Sequence, residues 1–160
     1  EKQKFFEMLS EYIIDGFKYN VNKSILMEIP STSSNKVLTS TTEYWKVEGE
    51  DILYGNILPG SILDVAEVKE NAEMRMTLLD INRPMPSILD ITKINKITKE
   101  GRSLSSNSVD GISCIAMLVD SGLSKIIGNY AIMLNRPKIP VKLFTSLTEA
   151  RLWVRDYLPK

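Results

Sequence analysis

The 160-residue chain has no histidine. That removes the side chain that most often acts as a general base near neutral pH and as a metal ligand. Nucleophilic catalysis of the Ser-His or Cys-His kind and histidine-based zinc sites are therefore excluded. Cysteine occurs once, as Cys114, so no disulfide can close within the chain and a reducing, cytoplasmic setting is expected. Neither G-x-x-x-x-G-K nor G-x-G-x-x-G is present, so the sequence offers no Gly-rich phosphate loop. No apolar run approaches the roughly 20 residues that span a bilayer, and residues 1–20 lack the basic start and unbroken apolar core of a secretion signal. Neither sign of charge prevails: twenty acidic residues balance twenty basic ones. The bases are scattered, which argues against nucleic acid or an anionic membrane as partner.

What is there reads as an ordinary globular chain, 43% hydrophobic and 25% charged. Its length suits one medium domain with an appendage and a core that needs neither disulfide nor metal. Phe6, Leu9, Ile13 and Phe17 recur at spacings of three and four and predict an amphipathic helix over 3–17. The run Ser31-Thr32-Ser33-Ser34-Asn35 reads as a linker, placing a boundary near residue 40. Residues 1–40 are thus expected to form a helix and linker, and residues 41–160 the main domain.

From Glu43 the pattern sharpens. Segments 43–47 and 52–58, rich in aromatic and branched residues, flank Glu48-Gly49-Glu50-Asp51 and predict a hairpin. Asp64 and Glu67 have the spacing of a capping box, opening a helix over about 64–80 with Val65, Val68, Ala72, Met76 and Leu79 on one face. Apolar runs at 86–91, 112–119 and 140–144 predict strands covered on both faces. Helices are expected at 122–135 and, after the Ser146/Glu149 cap, to the end, with Ala150, Trp153, Val154 and Tyr157 facing inward. Segment 98–108, holding Gly101 and several serines, predicts only a short or frayed helix. Strands alternating with helices imply an α/β fold with a mixed, mainly parallel sheet, an N-terminal hairpin and helices packed on it.

In such sheets ligands gather where the parallel strands end. Asp90 and Thr92, Asp120 and Ser121, and Thr145 and Ser146 follow the three strands and are candidates there, although caps and turns use the same residue types. Cys114 lies inside an apolar strand and reads as packing. Tyr44, Trp45 and Tyr54 read as core or interface aromatics, and Asp51, Asp64 and Glu67 as turn and cap residues. Met74, Met76, Met117 and Met133 read mostly as core filler.

The segment Ile88-Leu89-Asp90-Ile91-Thr92-Lys93-Ile94-Asn95-Lys96-Ile97-Thr98-Lys99-Glu100-Gly101 resembles the strand, loop and helix start of the STAS superfamily, typified by sporulation anti-anti-sigma factors. Matching positions are Leu89, Asp90, Thr92, Ile94, Ile97 and Gly101. A closer likeness, covering about residues 41–158, is to bacterial SpoIIAA-like proteins of the STAS/SEC14 type. It rests on the Tyr-Trp hairpin, Leu58-Pro59-Gly60, Leu118-Val119-Asp120-Ser121, Ile126-Ile127-Gly128-Asn129, Asn135-Arg136-Pro137 and Val141-Lys142-Leu143-Phe144-Thr145. The resemblance implies a SpoIIAA-like fold and a regulatory, protein-binding role; no cofactor and no metal are expected. Where the anti-anti-sigma factors carry the serine that is phosphorylated, this sequence has Lys99, with Thr98 in place of the preceding aspartate; Thr98 or Ser103 would have to stand in.

Three functions follow as expectations. The first is a non-enzymatic interaction domain binding a protein partner or a second copy of itself through Asp90, Thr92, Thr98, Lys99, Gly101, Asp120 and Ser121. The second is a carrier of a small apolar, lipid-like ligand, its pocket lined by Ile127, Tyr130 and Met133. The third is an enzyme working with Asp90 or Asp120 beside Lys99, for which no constellation of residues speaks.

Overall fold

A computed structural model describes residues 35–121 and 136–160. The helices expected at 3–17 and 122–135, and with them Ile127, Tyr130 and Met133, lie outside the described residues. The described residues form eight strands and three α-helices in the order β1 (Asn35–Leu38), β2 (Thr42–Lys46), β3 (Leu53–Ile57), β4 (Ile62–Leu63), α1 (Val65–Met76), β5 (Met85–Asp90), β6 (Lys96–Ile97), α2 (Lys99–Ser105), β7 (Ile112–Leu118), β8 (Val141–Phe144) and α3 (Leu147–Val154). Six strands form one sheet in the order β1-β2-β3-β5-β7-β8, and β4 with β6 forms a second, two-stranded one. β1, β2 and β3 run as an antiparallel meander, and β3, β5, β7 and β8 are parallel to one another. The expected mainly parallel sheet with an N-terminal hairpin is therefore what the chain builds.

Two features ahead of and beside that frame were not expected. Strand β1 precedes the boundary placed near residue 40 and is hydrogen-bonded into the sheet, pairing Asn35 with Lys46 through Leu38 with Glu43. The small polar residues that suggested a linker run directly into this strand, because pairing with β2 satisfies a backbone that its own side chains do not stabilise. The second feature is the β4/β6 pair, where Ile62 meets Lys96 and Leu63 meets Ile97. It is extended by Asn95 N–H donating to the Ser61 carbonyl at 2.9 Å.

Neighbouring residues of a strand point to opposite faces, and this divides the core. On one face Trp45, Ile52, Tyr54, Ile88, Cys114, Ala116, Leu118 and Phe144 pack against Ala150 and Val154 of α3. Trp153 and Tyr157 are partly buried against the same cluster. On the other face Tyr44, Leu53, Met85 and Ile112 form one group, and Ile57, Leu63, Val68 and Ile94 form another beneath α1 and α2. Leu53, Tyr54, Ile88, Cys114 and Leu118 have no solvent exposure. Burying an apolar side chain of this size contributes roughly 1.5–3 kcal/mol, which makes β3, β5 and β7 the stable centre.

The capping box of α1 forms as expected, with Asp64 as N-cap and Glu67 reaching back to the Asp64 N–H at 3.1 Å. On its expected face Val68 is buried and Val65, Ala72 and Met76 are partly so, but the helix also buries Asn71, which was not expected. Asn71 turns inward because it has hydroxyl partners. The Thr39 hydroxyl donates to Asn71 Oδ1 at 2.5 Å, and Asn71 Nδ2 donates to the Thr41 hydroxyl at 3.1 Å. Thr39 Oγ1 in turn accepts the Thr42 N–H at 2.9 Å. The β1–β2 turn is thereby fixed to α1 by a buried polar network in which the side chains satisfy one another.

Candidate functional site

The sequence-predicted residues fall in two places, the carboxyl end of the parallel strands and the start of α2. Asp90, the last residue of β5, is 4% exposed. Its Oδ1 accepts the Thr92 N–H at 2.8 Å and the Thr92 hydroxyl at 2.7 Å. The pair closes the turn that leaves the strand, the local use that Asp and Thr commonly find. Asp120 and Ser121 follow β7 after Val119, and β7 is the neighbour of β5, so these four residues occupy adjoining strand ends.

Thr98, Lys99 and Gly101 belong instead to the start of α2, which lies beside the start of α1. Thr98 is the N-cap: its hydroxyl oxygen accepts the Gly101 N–H at 3.0 Å while its proton goes to Asp64 Oδ1 at 2.6 Å. The Thr98 N–H donates to the Leu63 carbonyl at 3.0 Å. Two helix caps are therefore wired to each other. The Thr98 hydroxyl, followed by the Val65 N–H, holds the Asp64 carboxyl below the usual carboxylate range. Gly101 is buried because α2 crosses close over the end of β4: a Cβ there would sit 2.6 Å from the Leu63 carbonyl oxygen. Lys99 and Glu100 stay exposed, as does Ser103 one turn on. The helix-start side chains Asp64, Val65, Ala66, Glu67, Lys69 and Glu100 line an open surface hollow.

One row of residues, of which the sequence singled out Asp90 alone as a site candidate, crosses the sheet at this end. Strand register aligns Leu38, Glu43, Asn56, Asp90, Leu118 and Phe144 in sequence across all six strands. Three adjacent polar side chains thus interrupt the face that Trp45, Tyr54, Ile88 and Ala116 keep apolar one row away. Glu43 is ion-paired with Lys36 of β1. The Asn56 Oδ1 is buried and accepts no hydrogen bond from the described residues. Only the period-two pattern in each strand hinted at this band; its continuity depends on registers that no single segment encodes.

The opposite end of the sheet is held by charge. Glu50 and Asp51 of the hairpin turn each meet an arginine: Arg151 of α3 donates to Glu50 Oε1 at 2.6 Å, and Arg83 grips Asp51 through two bonds of 3.1 and 2.8 Å. The Tyr54 hydroxyl donates to Glu50 Oε2 at 2.6 Å and accepts from Arg151 Nε at 3.1 Å. Burial, reinforced by Glu50, pushes the Tyr54 phenol well above its ordinary value. Cys114 is fully buried and burial alone pushes its thiol up to about 12. Tyr44, Trp45 and Tyr54 are all core residues, and Trp45 stacks on Tyr54 with ring centroids 5.9 Å apart. Among the described residues no three His, Cys, Asp or Glu side chains are arranged to hold a metal, and no helix is long and apolar enough to cross a membrane.

Comparison with known proteins agrees with this architecture. A search of curated proteins found no match. The structure is similar to the crystal structure of an uncharacterised protein from Shewanella loihica PV-4, of the DUF3478 family and with a SpoIIAA-like fold. The two share 13% identity at a TM-score of 0.51, over 69% of this chain and 90% of that one. This likeness establishes the mixed α/β, mostly parallel arrangement as SpoIIAA-like. The model of the family described as Domain of unknown function (DUF7793) matches residues 44–158, from the second strand to the last helix, and the chain belongs to that family.

Proposed function

We propose that this chain is a non-catalytic, regulatory protein-interaction domain that presents the first turn of α2 to a protein partner, without a phosphoserine switch. The observation that carries this reading is the double engagement of the Thr98 hydroxyl, between Gly101 N–H and Asp64 Oδ1. Those bonds, together with the close seating of Gly101, make the helix start a rigid platform from which Lys99, Glu100 and Ser103 project. A rigid, mixed-charge surface loses little ordering entropy on binding. Phosphorylation of Thr98 would place about two negative charges against the Asp64 carboxylate and break both caps, so the chemistry of the site disfavours that switch.

An apolar ligand is the weaker alternative. The band of Glu43, Asn56 and Asp90 is a poor bed for an acyl chain, since desolvating such groups without new hydrogen bonds costs free energy. The test uses the full chain as bait in its native cell, beside a Lys99→Glu variant. A partner, or a second copy, retained by the parent chain and lost by K99E supports the reading. Absence of any stable partner together with a monomer in sedimentation overturns it, and a co-purifying small molecule in native mass spectrometry would favour the alternative.

A further inference from the structure

We infer that β1 is a strap that opens from the sheet independently of the rest of the domain, hinged at the β1–β2 turn. The observations lie in how unevenly this part of the chain is held. Asn35, Lys36 and Leu38 are exposed, Leu38 at 60%, and Val37 alone packs against the core. Among the described strands β1 is the outermost and is hydrogen-bonded to β2 only. Its one ion pair among the described residues, Lys36 with Glu43, is open to solvent on the lysine side, and exposed pairs of this kind add little.

The next residues are anchored quite differently. Thr39, Thr41 and Thr42 are buried at 6%, 6% and 1% exposure. Thr39 and Thr41 are tied to Asn71 and the Thr42 N–H to Thr39 Oγ1, while the Ser40 N–H and hydroxyl both donate to Glu70. The Thr41 carbonyl accepts the Leu58 N–H at 2.8 Å and the Ser61 hydroxyl at 3.2 Å. A weakly held strand running into a firmly held turn opens at the junction, because local opening costs only the contacts that the opening unit makes. Release bares the outer edge of β2, and an uncovered strand edge is the feature by which extended polypeptide segments add to sheets. The strap is a property of the fold and stands or falls apart from the role given to α2.

Native-state hydrogen exchange on the full chain tests it, with Ile88→Val as the diagnostic variant. Ile88 is fully buried at the centre of the sheet and stays packed when β1 opens. The variant should therefore speed the β5 and β7 amides roughly 2–10-fold, the range expected for losing one buried methylene, and leave the β1 amides unchanged. In the parent chain, β1 amides should exchange at least about 100-fold faster than those of β5, with little dependence on urea, since little surface opens with them. Equal protection of β1 and β5, or acceleration of β1 by I88V in step with the core, would show that β1 leaves only on global unfolding and would overturn the inference.

Discussion

Replacing Gly101 by alanine sets two physical effects of opposite sign against each other. Gly101 lies inside α2, and helix propensity alone says alanine should stabilise it by about 1 kcal/mol. The tertiary structure says otherwise. The added Cβ would lie 2.6 Å from the Leu63 carbonyl oxygen and 3.1 Å from Thr98 Oγ1, against an ordinary carbon–oxygen contact of roughly 3.3–3.6 Å. The carbonyl is backbone and cannot swing away, so α2 has to retreat by about 0.7 Å or more. That same carbonyl accepts the Thr98 N–H at 3.0 Å, and the Thr98 hydroxyl is bonded to both Gly101 and Asp64. Overpacking of this kind costs about 1–3 kcal/mol, and each weakened hydrogen bond adds about 1 kcal/mol. Set against the propensity gain, the net loss is about 2 kcal/mol, or roughly 4–8 °C in Tm for a chain of this size. Thermal and urea denaturation followed by circular dichroism measure it. In a Thr98→Ala background the alanine should cost less, since part of the damage is already done. An equal or higher Tm for G101A would refute the close-approach argument.

The buried amide of Asn71 gives a second prediction: Asn71→Ala leaves the Thr39 and Thr41 hydroxyls without their partner and should cost about 2–3 kcal/mol in urea unfolding; a loss under 0.5 kcal/mol would remove the anchoring role given to it. Tyr54→Phe deletes the hydroxyl that links Glu50 and Arg151 and should cost about 1 kcal/mol, with the aromatic stack kept. Asp64 has a folded pKa below its unfolded value, so its stabilisation is full above the unfolded value near 3.9 and is lost as pH falls through the lower folded one. The stability gap between the parent and Asp64→Asn should thus be constant from pH 7 to about 5 and shrink below about 4; a gap that widens in acid would contradict the cap assignment. Cys114, with its thiol pushed up to about 12, should react with a thiol-specific reagent at pH 8 more than 100-fold slower in the native protein than in urea, and rapid native labelling would show that the core opens.

Local patterning determined a good deal of this protein by itself. Apolar runs marked β5, β7 and β8, aromatic and branched residues on either side of Glu48-Gly49-Glu50-Asp51 marked the hairpin, and Asp64 with Glu67 marked the start of α1, because strand propensity, turns and helix capping act over a few neighbouring residues. The carboxyl-edge residues were legible too, as Asp, Thr and Ser at strand ends, and so was the SpoIIAA-like order of elements. What needed tertiary structure was every relation across long stretches of chain. The cap of α1 bonding the cap of α2, Asn71 turning toward Thr39 and Thr41, and Glu50 and Asp51 each finding an arginine all join groups 30 or more residues apart in sequence, while β1 joins the sheet locally from a segment that reads as a linker. The row of Glu43, Asn56 and Asp90 is the clearest case. Each residue is an ordinary polar position in its own strand, and only the register, fixed when apolar faces are buried together, sets the three side by side.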